Sequence, residues 1–254
     1  MVTDLQKANL WKRISAGLFD LILLVMLAVG MAALLSWVFG YNTHSQNLND
    51  AYSRYETQYG VEFEMTQQAF DELTQAQKDN YDAAYAALIA DEEVIYLYNM
   101  VLNLTLLITT FGILLAVLLL EFAVPLLLKN GQTLGKKIFG VALMRQDGIK
   151  ISTVQLFIRT VLGKFTIEIM IPVYILLMIF FNTIGIIAVA VLGGIAVAEL
   201  LCLALSKTGS LIHDSIAGTV AVDMASQMIF ETSEERLEYI KRLHAEEASR
   251  QEYK

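Results

Sequence analysis

The sequence predicts an all-α protein, a polytopic membrane bundle of four transmembrane helices carrying a helical extracytoplasmic insertion. Three observations lead there. Hydrophobic residues make up 56% of the 254 residues, mean hydropathy is +0.53, and only 17% are charged, below the ~25% typical of soluble domains. Four apolar runs are long enough to approach the ~20 residues that a bilayer requires. Lys and Arg are distributed unequally between the segments joining those runs, as the orientation rule for membrane helices demands. The net charge of -8 argues against a nucleic-acid partner. With Cys202 the single cysteine, no disulfide framework or Cys/His zinc pattern is expected.

Residues 1–40 hold the N-terminal segment and the first span. Lys12 and Arg13 lead into the run Ile14 to Gly40, with Asp20 inside it. The run is too long for the apolar core of a signal peptide, so a retained membrane helix is expected. An acid within such a helix is costly and implies a partner or a role.

Residues 41–97 form the insertion. They contain Arg54 and Lys78 against eleven acids, so they are expected outside. Thr74-Gln75-Ala76-Gln77 has the capping-box form that opens a helix. Tyr81, Tyr85 and Leu88 follow at helical spacing. Tyr55, Tyr59, Phe63, Phe70 and Leu73 are expected to complete a small aromatic core. A solvated helical cap and a surface for an external partner are the two readings of this segment.

Residues 98–222 continue the membrane domain. The second span runs roughly from Tyr96 to Leu128. The cytoplasmic loop 129–165 then carries Lys136, Lys137, Arg145, Lys150, Arg159 and Lys164 besides Lys129. Within it, Gly131-Gln132-Thr133-Leu134-Gly135-Lys136-Lys137 has three residues between its glycines, and Lys137 after the Gly-Lys pair. A phosphate-binding P-loop needs four residues there and then Ser or Thr, so the nucleotide reading fails. Val141 to Met144 followed by Asp147-Gly148 reads as a short strand and a turn. From Ser152, the stripe Val154, Phe157, Ile158, Val161, Leu162 and Phe165 predicts an amphipathic helix at headgroup level. The third span is expected from Thr166 to Phe181, kinked at Pro172, and the fourth from Thr183 to Leu205. Small residues at Ala190, Gly194 and Ala198 offer a helix-packing face, for the bundle itself or for a homo-oligomer. Residues 223–254 form a cytoplasmic tail, whose Thr232-Ser233-Glu234-Glu235 opens a charged helix.

These residues, taken together, carry a resemblance. Arg13-x-x-Ala16-x-x-x-Asp20, the glycine-rich segment from Gly131 through Gly140-Val141, then Asp147-Gly148, Arg159 and His213-Asp214-x-x-Ala217-Gly218-Thr219 resemble the RDD family of membrane proteins. The family is named for one arginine and two aspartates. Arg13 and Asp20 match the first two, and Asp214 is the better match for the last, with Asp147 as the alternative. The likeness covers the membrane portion and leaves out the insertion and the tail. It implies the fold more firmly than the activity: transport has been proposed for the family, and sodium/proton antiport attributed to some members.

Each predicted span carries one acid: Asp20, Glu121, Glu168 and Glu199. Asp20 follows Arg13 by seven residues, and Glu121 and Glu199 each precede a lysine by eight. At ~1.5 Å per residue these acids lie roughly 10–12 Å from a cytoplasmic charge. One polar pocket open to the cytoplasm is therefore expected, edged by Arg13, Arg159 and Lys164. In one reading the acids are cation- or proton-binding groups of a transporter, because clustered carboxylates repel one another and take up protons more readily. In the other, Arg13 and Arg159 pair with Asp20 and Glu121, Lys164 pairs with Glu168, and the network fixes helix register in a non-transporting scaffold or assembly factor. A lipid or peptide headgroup site is a third. Lys136, His213 and Asp214 complete the motif residues. No serine, cysteine or metal constellation surrounds His213, so neither enzyme chemistry nor a cofactor or metal is expected. The expected partners are the lipid bilayer, monovalent cations or protons, and a second copy or another membrane protein. The expected location is the cell membrane, multi-pass, with both termini cytoplasmic.

Overall fold

The computed structural model describes residues 5–128, 131–170, 185–205 and 209–252. The chain divides into two compact units, Gly30–Gly112 and a second made of Met1–Val29 with Ile113–Lys254. The fold is mostly helical. Among the described residues, two helices are long and apolar enough to cross a membrane: α1 (Leu10–Val38), and the run Glu92–Leu127 formed by α5 (Glu92–Val117), a π-helical turn (Leu118–Ala123) and α6 (Val124–Leu127). The core of the third span, Pro172, and the Asn182-Thr183 break lie outside the described residues. The fourth is described from Gly185 onward.

In the unit Gly30–Gly112, α2 (Tyr41–Tyr59), α3 (Gln67–Asp71) and α4 (Gln75–Ala90) precede α5. Gly40 and Gly60 flank α2 at φ 63°, the left-handed conformation that favours glycine at a helix end. The Thr74 capping box forms, with Gln77 answering the Thr74 backbone. Leu48, Ala51, Leu88, Val94 and Leu97 are buried together, and Tyr52, Tyr55 and Phe63 pack on them. Phe63 meets Tyr81 edge-on at 5.7 Å, and Phe70 meets Tyr81 at 5.2 Å, so the expected aromatic core is present. Gly112 lies so close to α1 that a Cβ there would sit 3.2 Å from the Ala32 nitrogen.

The other unit departs from an all-α architecture in one respect. β1 (Val141–Arg145) pairs antiparallel with β2 (Thr219–Asp223), Val141 opposite Asp223 and Arg145 opposite Thr219. The strand and turn at 141–148 match the sequence reading; β2 does not appear in it. Both faces of the ribbon are covered. Val141, Leu143 and Ala221 pack with Ala8, while Ala142, Met144, Val220 and Val222 pack with Leu5 and Ile229. That double burial explains why Thr219 to Val222 is uniformly apolar apart from the threonine, rather than alternating.

Around the ribbon lie α7 (Leu134–Ile138), α8 (Thr153–Phe157), a π-helical stretch (Ile158–Glu168), α9 (Gly185–Leu205), α10 (Ile212–Ala217) and α11 (Ser233–Glu252). Ser152 and Gln155 make a capping box at the start of α8. Thr232 accepts from the Glu235 nitrogen at the start of α11, as its sequence predicts. Val154, Phe157 and Leu162 remain exposed, in keeping with an apolar face offered to the headgroup region.

Candidate functional site

The site is assembled first by close backbone approaches. Gly131 is at φ +60°, and a Cβ there would sit 2.8 Å from Ile151. Gln132 donates to the Val141 carbonyl at 2.8 Å, tying the loop to β1. Thr133 then caps α7 by accepting from the Lys136 nitrogen. Gly135 meets α1 itself: a Cβ at this position would lie 2.3 Å from the Ala16 carbonyl oxygen. The glycine-rich segment is thus shaped to receive α1, not a phosphate.

Asp20 is what α1 brings to that contact. Its carboxylate accepts from the Gly135 nitrogen at 2.8 Å and from the Thr133 hydroxyl. The sequence reading paired Asp20 with Arg13 or Arg159; neither arginine forms an ion pair with it. Arg13 instead donates to the Gly209 carbonyl at 2.5 Å. The Gly135 N–H and the Thr133 hydroxyl at the start of α7 replace the arginine, because a free N–H at a helix N-terminus is itself a good partner for a carboxylate.

Glu121 and Arg159 lie on the two π-helical stretches. A π-helix bonds i to i+5 and is common at functional positions, and along Ile158–Glu168 it sets Arg159, Lys164 and Glu168 at spacings of five and four. Glu121, 4% exposed, receives Lys164 at 2.6 Å and has Arg159 at 3.8 Å. Arg159, 3% exposed, pairs with Asp214 at 2.7 Å. The expected Lys164–Glu168 pair does not form; Lys164 turns to Glu121. Asp147 is half-buried and pairs with Arg145 within the 145–148 turn, so Asp214 is the aspartate that enters the buried cluster.

His213 reaches the cluster through Gly163, where a Cβ would lie 2.7 Å from the His213 Cβ. Its Nε2 is 2.7 Å from an Arg159 nitrogen and its Nδ1 is 2.5 Å from Glu168 Oε1. A guanidinium only donates, so Nε2 accepts and Nδ1 carries the proton toward Glu168. Burial, reinforced by Arg159, holds the imidazole pKa well below its ordinary value, and His213 is a neutral relay between the two. Burial alone would raise the Asp214 carboxyl, but the Arg159 guanidinium beside it holds it well below the usual carboxylate range. Lys136 donates to Thr133 at 3.2 Å. Burial, opposed by Glu121 and aided by Arg159, lowers its ammonium to about 8.

Arg13, Asp20, Glu121, Lys136, Arg159, Lys164, Glu168, His213 and Asp214 line one cavity of about 360 Å³. Ligand atoms of Glu168, Glu199 and His213 lie within 4.8 Å of one another, and Glu199 accepts from the Ile212 nitrogen at 3.3 Å. The acids of the separate helices therefore converge. The RDD family model matches residues 7–218.

The chain belongs to the RDD family. The matched range takes in Arg13, Asp20 and Asp214 together with the loop that receives Asp20, and ends just before β2. No curated protein and no solved structure matches the chain. The sequence signals for Thr133 and Gly135 were their places in the glycine-rich segment. Nothing in the sequence pointed to Gly163, whose role rests on a contact fifty residues away in the chain.

Proposed function

We propose that this RDD protein is a multi-pass cell-membrane protein with four spans and cytoplasmic termini, and that it handles a monovalent cation or proton in the buried cluster, as a cation or proton-coupled transporter does. The observation that carries this reading is a charge imbalance. Among the described residues, Asp20, Glu121, Glu168 and Asp214 line the cavity with Arg13, Lys136, Arg159 and Lys164, His213 being neutral, and Glu199 adds a fifth carboxylate beside Glu168. One negative charge is left over in a buried setting. Buried charge without compensation costs several kcal/mol, so a positive species completes the site.

A second reading, a non-transporting scaffold or assembly factor that holds a protein partner, is favoured by how tightly Arg159, Asp214, Glu121 and Lys164 satisfy one another. Such a network also fixes helix register. Proteoliposomes with imposed sodium, potassium and pH gradients separate the two. Transport predicts cation-driven proton movement that is lost on replacing the cluster acids. No flux under any gradient leaves the scaffold.

A further inference from the structure

The cluster acids are not equivalent, and the differences point to where the missing positive charge sits. Asp20 is taken up by the Gly135 nitrogen and the Thr133 hydroxyl. Glu121 is held by Lys164 and faces Arg159, and Asp214 is held by Arg159. Three carboxylates are thus consumed by the protein itself. Glu168 and Glu199 remain. They approach each other within the 4.8 Å that also includes His213. Their protein partners are neutral: the His213 nitrogen donates to Glu168 at 3.0 Å, and the Ile212 nitrogen to Glu199 at 3.3 Å. Glu199 Oε1 and Glu121 Oε2 are both buried without a hydrogen-bond partner among the described residues, but Glu121 Oε2 has Arg159 at 3.8 Å, whereas no cation among the described residues forms an ion pair with Glu199. Two carboxylates this close repel one another, and the repulsion is relieved by one shared positive species.

The trio has the composition of a divalent-metal site, but Arg159 removes the imidazole from the ligand set. With Arg159 donating to Nε2 at 2.7 Å, the Nδ1 lone pair is occupied by a proton aimed at Glu168. Zinc would be left without the nitrogen ligand it usually takes, and calcium or magnesium, which take oxygen ligands, would bring one positive charge more than the cluster lacks. A monocation needs no nitrogen, and it cancels the one negative charge left over in the cluster.

We propose that Glu168 and Glu199 form the exchangeable site of this protein, holding one monocation, a proton or an alkali ion, between their carboxylates. This rests on the cation-handling reading above and names its binding residues. Arg159 acts as a positioning residue: it fixes the His213 tautomer and so keeps the Nδ1–H on Glu168. Among the described residues, the charged and titratable groups facing the pair are Lys164 and Arg159 on the stretch that carries Glu168, His213 and Asp214 on α10, and Glu121 on the Leu118–Ala123 turn.

The test uses the full-length protein in lipid nanodiscs. Thermal melting is followed in sodium, potassium or choline chloride at equal ionic strength, at acidic and at alkaline pH. An alkali ion in the site stabilises relative to choline at alkaline pH by roughly 2–4 °C, and the advantage shrinks in acid as protons take its place. A proton as sole occupant gives equal melting in the three salts and a stability that falls as pH rises. Either pattern is lost in both Glu168→Gln and Glu199→Gln, each of which removes the surplus charge and needs no cation to fold. Melting that is the same in all salts at every pH overturns the proposal, and so does a cation or pH response that survives in both variants. The flux assay reads out separately. Binding at the pair without flux keeps this site and removes transport; flux with no response at the pair keeps transport and removes this site.

Discussion

Asp214 sits at the centre of the cluster, 1% exposed and 2.7 Å from Arg159. A buried pair of this kind adds little net stability over an apolar substitute, but breaking it from one side strands a charge. Asp214→Asn keeps the shape and removes the charge that holds Arg159, so a loss of about 3–5 kcal/mol is expected, measured as a drop in melting temperature in detergent or nanodiscs. An unchanged melting temperature would mean that Glu121 alone suffices for Arg159. The pH dependence has a definite sign. The folded carboxyl titrates well below the usual range, so its contribution is present above the unfolded value of ~3.9 and is lost only as pH falls through the folded one. At this scale the sequence was informative about identity and silent about partners. Arg13, Asp20, Arg159, Glu168 and Asp214 all reach one cavity. Which acid meets which base depended on distances between segments far apart in the chain.

The α7 element turns on a single missing methyl. Gly135 is the only residue type that lets α7 rest on the α1 backbone, because a Cβ would stand 2.3 Å from the Ala16 oxygen and 2.9 Å from the Asp20 carboxyl. Gly135→Ala must push α7 away from α1 and break the Asp20–Gly135 hydrogen bond. Overpacking typically costs 1–3 kcal/mol, and a lost cap about 1 kcal/mol more, so a combined loss of roughly 2–4 kcal/mol is expected. Asp20→Ala, which removes the cap without the clash, should cost less than Gly135→Ala in the same melting assay; the reverse order would mean that Asp20 carries more than capping. Elements were legible where the signal is local. The capping box at Thr74, the Thr232 cap and the 141–148 strand and turn rest on residues within a few positions of one another. β2 was not: like β1 it is buried on both faces and lacks alternation, but it has no Asp-Gly turn after it to mark it as a strand. The Lys164–Glu168 pairing failed for a related reason. A spacing of four stacks side chains on an α-helix, but Ile158–Glu168 winds as a π-helix, where five is the aligned spacing, and Lys164 is freed for Glu121.

For the whole molecule the issue is orientation across the bilayer. Along α1 only Ala16 and Asp20 are buried, as suits a helix that faces lipid over most of its surface. Trp11 and Trp37, near its two ends, are 73% and 80% exposed. They stand roughly 39 Å apart along the axis at ~1.5 Å per residue, close to the thickness of a bilayer with its headgroups, where tryptophans gather at both interfaces. Lys7, Lys12 and Arg13 flank the Trp11 end, while the segment after Trp37 carries an excess of acids through 41–97. Positive charge marks the cytoplasmic side, so the N-terminus is expected inside and the insertion outside. Ser53 lies exposed on α2 and reports on this directly. In a Cys202→Ala background, which removes the native thiol, an engineered Ser53→Cys should react with a membrane-impermeant maleimide added to intact cells, and equally before and after lysis. A cysteine introduced at exposed Glu246 in the tail should react only after lysis, because an even number of spans returns the C-terminus to the side of the N-terminus. Labelling of both positions from outside would require an odd number of spans, and labelling of Ser53→Cys only after lysis would invert the protein in the membrane and move the carboxylate cavity away from the cytoplasm.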